Sequence, residues 1–292
     1  MIQQLSTLFN GEPLLFAFCL LPFGLVVGSF LNVVIYRLPI MMERSWRRQA
    51  EDFLNIEPTA KSPPVHFNLA IPASACPSCR APIKAWQNIP VISYLFLKGR
   101  CAACDVSISI RYPLIELFTG ITTAVLAYHF GFSLYLLATL ILSWSFICLI
   151  FIDIDHMLLP DDITLPLLWL GLLLALTGIG PVNLFDALIG TMAGYMVLWL
   201  VFWGFKLITG KEGMGYGDFK LLAVIGGWVG WQLLPVVILL SSVIGALVGL
   251  TIIAFFGGQR DKPIPFGPYL AGAGWIALIW GDQIYSSYLS TL

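Results

Sequence analysis

Two short segments set carboxylates beside long apolar runs: FIDIDHMLLPDD at 151–162 and GMGYGDFK at 213–220. Ionisable groups at membrane depth are costly, and by default they mark function. Asp153 and Asp155 close one apolar run, Asp161 and Asp162 precede the next, and Asp218 stands at the threshold of a third. On a helix, a step of two residues turns side chains about 200° apart, so only one of Asp153 and Asp155 can face a given partner. Asp153, directly after SFICLIFI, is the deeper. Asp155, Asp161 and Asp162 also read as solvated loop acids, one of the last two capping the next helix. Asp218 follows Gly213, Gly215 and Gly217, which allow torsions and close approaches that side chains forbid. Irregular backbone at that depth is tolerated only where it lines an enclosed or wet cavity. Two aspartates brought together from separate helices would share a proton, since both cannot ionise at close range. One would then activate water while the other protonates a carbonyl or leaving amine. Lys220 reads first as an inside-anchoring lysine and second as a supporting residue.

A different chemistry belongs to CPSCRAPIKAWQNIPVISYLFLKGRCAAC. Cys76 and Cys79 form one C-x-x-C, and Cys101 and Cys104 form another after a spacer of 21 residues. Two such turns bring four thiolates to the corners of a tetrahedron, the geometry of structural zinc. Four cysteines fill the shell and leave no position for a catalytic water. The alternative, two disulfides, conflicts with a location on the reducing side of the membrane. Cys19 and Cys148 stand alone in apolar runs and read as packing residues.

The elements that must position these groups are membrane helices. The chain of 292 residues is 59% hydrophobic and 11% charged, with a mean hydropathy of +0.89, far from a soluble domain. Runs long enough to cross a hydrocarbon core fall at 14–36, 113–132, 134–152, 163–180, 184–205, 221–239, 241–256 and 266–282. The first lacks a basic region ahead of it and reads as a retained helix entering from outside. With that start, all fifteen Lys and Arg fall on the inner face, ten of them between Arg37 and Arg111. This one-sidedness supports eight spans with both termini outside. The basic inner face then reads as topology control and lipid contact, with no call for nucleic acid. No internal repeat is evident. The expected fold is an all-α polytopic membrane protein: a first transmembrane helix at 1–36, an inner zinc-binding loop domain at 37–112 and a seven-helix membrane domain at 113–292. Within the loop domain, 41–64 reads as a short charged helix and a proline-bounded turn.

These segments together resemble the type IV prepilin peptidases, within the wider group of GxGD aspartic proteases. The resemblance rests on GSFLNVVIYRLP at 28–39, the paired C-x-x-C, SIRYPLIE at 109–116, IDIDHMLLPD at 152–161, GKEGMGYGDFK at 210–220 and PIPFGPYLA at 263–271. It implies that Asp153 and Asp218 are catalytic, Asp218 being the aspartate of GxGD with Gly215 and Gly217. It implies prepilin and pseudopilin precursors as substrates, cut after the Gly of a short basic leader on the cytoplasmic face of the bacterial inner membrane. It also implies methylation of the new α-amine with S-adenosylmethionine. No G-x-G-x-x-G or other donor pocket is recognisable in the residues, so that second activity stands on the resemblance. The large inner loop around Lys98, Gly99 and Arg100 is the best place for it, with Glu116 another candidate or else the partner of Arg111. The rival reading is an ion- or proton-coupled transporter, which also uses intramembrane acids and glycine-broken helices. It would call for acids at mid-span and similar halves, whereas Asp153 and Asp218 sit at the inner ends of runs. A zinc-loop scaffold without catalysis is a third reading.

Overall fold

The structure, a computed structural model, describes residues 9–55, 67–256 and 264–290. Lys61, Arg260, Lys262 and the proline-bounded turn used in the topology reading lie outside the described residues. Among the described residues the chain is helical, with isolated bridges and no strand. The helices are α1 (Pro13–Leu54), α2 (Ile92–Phe96), α3 (Arg111–Phe130), α4 (Leu134–His156), α5 (Asp161–Thr177), α6 (Leu184–Thr209), α7 (Tyr216–Val229), α8 (Leu234–Phe256) and α9 (Gly267–Leu289). Those of fourteen residues or more stand at the expected apolar runs. Among the described residues five segments are long and apolar enough to cross a membrane: α1, α3, α4, α6 and Trp231–Phe255.

Two expectations are corrected. The first helix does not stop near residue 36 but continues to Leu54, about 63 Å of helix, roughly twice a hydrocarbon core. The charged segment expected as a separate short helix is its last turns. Nothing between Arg37 and Leu54 breaks the pattern except Pro39, and the helix runs through it. The run expected at 221–239 is also divided. Gly230, at φ +81°, ends α7 after 14 residues, and a short turn at Trp231–Leu233 leads into α8. Hydropathy could not place this break, because both sides of it are apolar.

The chain forms two compact units, 1–132 and 133–292. The three-part division expected at 36/37 and 112/113 is a reading of membrane topology, and these units follow compactness instead. In the first unit α1 packs along α3. A Cβ at Gly28 would lie 2.7 Å from the Glu116 Cα, and one at Gly24 would lie 2.9 Å from the Gly120 Cα. These small residues four apart let two helix backbones meet in a setting where apolar side chains give no preference for protein over lipid.

In the second unit α7 is the central helix, with eleven of its fourteen residues buried. It packs on α5, α6, α8 and α9. At about 21 Å it is too short to span alone, and it is enclosed by protein instead. Gly190 of α6 and Gly226 of α7 meet backbone to backbone, and a Cβ at Gly194 would lie 2.5 Å from the Leu222 carbonyl. From the α5 side, Trp228 donates its indole N–H to the Leu167 carbonyl at 2.9 Å. Helix ends are set locally: Ser133 and Asn183 accept from the N–H of Leu136 and Asp186 to start α4 and α6. Gly178 and Gly210 close α5 and α6 at positive φ.

Gly226→Val puts a branched side chain against the Gly190 carbonyl and should destabilise the second unit by about 3 kcal/mol, the upper part of the usual range for overpacking. A lowered midpoint of thermal unfolding in detergent, with Gly272→Val as control, checks this. No atom lies within 4 Å of where a Cβ at Gly272 would stand.

Candidate active site

Asp153 lies in the last turn of α4 and Asp218 in the first turn of α7, each 6% exposed. They are the only aspartates among the buried charged residues described. Asp155, two residues on, is exposed, as a 200° turn requires. Leu159 lies against both Gly217, beside Asp218, and Gly267, whose N–H holds Asp153, so the structure brings the two acids to one place.

Each carboxylate stands at the amino end of a helix. Gly267 opens α9, and its backbone N–H donates to Asp153 Oδ2 at 3.0 Å. A helix leaves its first N–H groups without internal partners, and their partial positive charge offsets part of the cost of burying a carboxylate. A Cβ at Gly267 would lie 2.6 Å from that oxygen, so only glycine permits the approach. Gly267 was not among the site residues expected. PIPFGPYLA does carry the signal, a proline–glycine cluster at a helix start, but nothing local reveals an acceptor 114 residues away. Asp218 occupies the first turn of α7 behind Gly215. Its backbone N–H donates to the Gly215 carbonyl at 3.3 Å, while Oδ1 is buried with no hydrogen-bond partner.

The glycines of GMGYGD act by close approach, not by unusual torsions. Gly215 has an ordinary extended backbone, and a Cβ there would lie 3.6 Å from Asp218 Oδ2. A Cβ at Gly217 would lie 2.8 Å from the Leu159 Cβ, so that glycine seats the start of α7 against the chain between α4 and α5. Leu159 also flanks Gly267. The three segments IDIDHMLLPD, GMGYGD and PFGP therefore converge on one place. Lys220 joins them from outside, its Nζ 2.7 Å from both carboxylate oxygens of Asp161. The expectation that Asp161 or Asp162 caps α5 is corrected: Pro160 holds the cap position, and both acids lie in the first turn, the favourable end of the helix dipole.

In the first unit the sulfur atoms of Cys76, Cys79, Cys101 and Cys104 lie within 4.8 Å of one another, a set able to hold a metal ion. All four are free of disulfides. Each pair sits in the same turn. The Cys76 N–H donates to the Ala81 carbonyl, Arg80 to Cys76 and Ile83 to Ser74. Twenty-five residues on, from 76 to 101, Cys101 donates to Val106, Asp105 to Cys101 and Ile108 to Gly99. Arg80 and Asp105 both take positive φ. So an internal repeat does exist, and its sequence trace is C-x-x-C-x-x-x-I at 76–83 and 101–108. The Cys79 and Ser78 N–H groups hold the Cys76 thiol down at about 6. At Cys104 the Val106 N–H favours the thiolate, but burial and the three neighbouring sulfurs outweigh it and push the thiol up to about 12. Four thiolates so close repel one another unless a cation sits among them.

Residues 22–130 match the family model described as the bacterial peptidase A24 N-terminal domain, and residues 140–250 match the one described as the type IV leader peptidase family. The chain is 56% identical over 281 residues to the prepilin leader peptidase/N-methyltransferase of Stutzerimonas stutzeri, covering 96% of each. It is 54% identical over 288 residues to the protein of that name from Aeromonas salmonicida, covering 99% of each. The like-named Pseudomonas aeruginosa protein is 53% identical over 279 residues, covering 96% of this chain and 95% of its own length. The chain belongs to the type IV leader peptidase family. No solved structure matches it. Asp153, Asp218 and the glycines around Asp218 all lie within the span matched by the leader peptidase model, and the four cysteines within that of the N-terminal domain. The transporter reading gains no support from any of these relatives.

Plasma mass spectrometry of the purified chain should find one bound divalent ion, and Cys76→Ser should release it. Full retention of metal by that variant would count against the four-sulfur site.

Proposed function

We propose that this chain removes the leader from type IV prepilin and pseudopilin precursors by two-aspartate hydrolysis, and then N-methylates the new terminal residue. One observation carries the peptidase reading: two buried aspartates stand at the ends of separate helices that converge on Leu159, and one of them keeps a carboxylate oxygen without a partner. Two carboxylates in this relation share a proton. The ionised member takes a proton from water, which attacks the scissile carbonyl, and the protonated member donates to the carbonyl oxygen. The proton then passes to the leaving nitrogen. Gly267 holds Asp153 by one oxygen, which leaves the other for water or its partner. The unpartnered Oδ1 of Asp218 is free for the substrate. Asp155, exposed on the opposite side of α4, takes no part. Gly215 and Gly217 let an extended peptide approach, and Lys220 with Asp161 holds the start of α7 against α5.

The fifteen basic residues support a bacterial inner-membrane protein with this site on the cytoplasmic side. The three-part organisation at 1–36, 37–112 and 113–292 follows from the same topology. The substrate is a precursor whose short basic leader ends in Gly before an apolar helix. Lipid surrounds the spans, and nucleic acid has no part.

We assign structural zinc to the four cysteines. Sulfur atoms at about 2.3 Å from a tetrahedral zinc stand about 3.8 Å apart, and Cys76 Sγ lies 3.8 Å from Cys104 Sγ. When bound, the ion supplies charge and cross-linking, not chemistry. The N-methyltransferase in the relatives' names implies a methyl donor, for which S-adenosylmethionine is our assignment.

Asp153→Asn and Asp218→Asn should each lower leader removal from a purified prepilin by at least about 10³-fold, while Asp155→Asn stays near wild type. Full activity of Asp218→Asn would end the peptidase assignment. Lys220→Met should cost stability less than about 1 kcal/mol, as exposed pairs do, yet slow cleavage by up to about 10²-fold through misplacement. The charge swap Lys220→Asp with Asp161→Lys should recover part of the rate.

A further inference from the structure

The described residues include four buried charged side chains: Arg37, Glu116, Asp153 and Asp218. Two form the aspartate pair of the second unit. Arg37, in the first unit, has its guanidinium occupied by backbone carbonyls, with Nη1 2.9 Å from that of Asn68 and Nη2 2.7 Å from that of Pro72. Glu116 is left without a role in peptide cleavage. It lies in the second turn of α3, where Gly28 of α1 comes against its Cα. Its Oε2 accepts the Val91 N–H at 2.8 Å, and the Ser29 hydroxyl also hydrogen-bonds to the carboxylate.

The groups acting on Glu116 are thus a peptide N–H and a hydroxyl, with no cationic side chain among them. Asn88 Oδ1 adds an acceptor 3.4 Å from Ser29 Oγ, and Asn88 is exposed, so the niche reaches solvent at its edge. The carbonyls of Gly28 and Tyr112 are already taken by Asn32 Nδ2 at 3.2 Å each. A buried carboxylate is stable only when paired, and one held by an N–H and a hydroxyl alone suits a guest that brings further donors and positive charge. A terminal ammonium, with three N–H groups, is such a guest.

We propose that Glu116 binds the newly exposed α-amine of the cleaved substrate and accepts its proton for N-methylation. This rests on the functional reading above. The ammonium loses a proton to the Glu116 carboxylate. The freed nitrogen lone pair attacks the methyl carbon of a sulfonium donor, and the carbon–sulfur bond breaks with its electron pair left on sulfur. The products are a thioether, an N-methylammonium terminus and protonated Glu116, which returns its proton to water. Ser29 and the Val91 N–H position the carboxylate. Peptide cleavage, which belongs to the second unit's acids, does not pass through Glu116.

The test uses the full chain in detergent, with a prepilin and S-adenosylmethionine, and reads cleavage and methylation by mass spectrometry in one reaction. Glu116→Gln should cleave like wild type and methylate at least about 10²-fold more slowly, the usual scale for a lost general base. Glu116→Asp should fall between. A binding measurement needs no turnover: wild type should prefer a peptide with the mature amino terminus over its N-acetylated form, and Glu116→Gln should lose that preference. Wild-type methylation by Glu116→Gln, or an unchanged preference for the free amine, overturns the proposal. So does joint loss of cleavage and methylation in both Glu116 variants, which would make the carboxylate structural. If wild type itself neither cleaves nor methylates, the functional reading falls first and takes this one with it.

Discussion

A carboxylate taken out of water loses several kcal/mol of hydration, and the second unit buries two among its described residues, Asp153 and Asp218, at helix ends that converge on Leu159. Much of the second unit can be understood as what such burial demands. Asp153 finds a donor without a competing side chain at a helix amino end, the Gly267 N–H of α9, while Asp218 stands in the first turn of α7 with its Oδ1 left unpartnered. For helix ends to come so near, side chains must be missing where backbones pass. Gly217 against Leu159 and Gly267 against Asp153 meet that need, and Gly190 against Gly226 continues it deeper along α6 and α7. The short central helix follows from the same demand. A helix spanning the bilayer alone would present lipid with one face, whereas α7 is wrapped on nearly all sides and keeps its acid away from both lipid and bulk water.

The first unit solves a different problem. Residues 67–110 have few buried apolar side chains, too few for a core of their own, and small domains in that position depend on metals or disulfides. Two copies of one turn, twenty-five residues apart, bring four thiols together. Arg37 ties the segment ahead of them to α1 through carbonyls of Asn68, Leu69 and Pro72. Among the described residues no acid is paired with this buried cation. It fixes a tight turn, closed by Asn68 Oδ1 accepting from the Ala70 and Ile71 N–H groups, by gathering its outward carbonyls.

Much of this was legible in the sequence because the signals were local. Depth and a helical turn separate Asp153 from Asp155. The cysteine spacing specifies a tetrahedral site, and the glycines mark where Asp218 must be approached closely. What escaped was non-local or uniform in composition. Gly267 serves an acid 114 residues away. The break at Gly230 lies inside an apolar run, so hydropathy ran through it and moved the boundary of two helices. The continuation of α1 to Leu54 was missed because charge was read as the end of a helix, although charge ends only the lipid-facing part. The knuckle repeat was hidden because its likeness lies in hydrogen bonds, with only two cysteines and an isoleucine in common.

The same physics separates the two chemistries that one chain is asked to perform. Peptide hydrolysis needs acid and base together, so two carboxylates must be close enough to divide one proton between them. Amine methylation needs a proton acceptor alone and makes no call on a second acid. On the reading proposed above, the pair in one unit and the single residue in the other would meet both needs. In the pair, the acids meet among neutral surroundings such as Gly267 and Leu159. For the single acid, tuning falls to fixed donors, the Val91 N–H and the Ser29 hydroxyl, and to the ammonium that enters. A lone carboxylate held by a peptide N–H and a hydroxyl keeps room for an entering cation, which a carboxylate saturated by arginine would not.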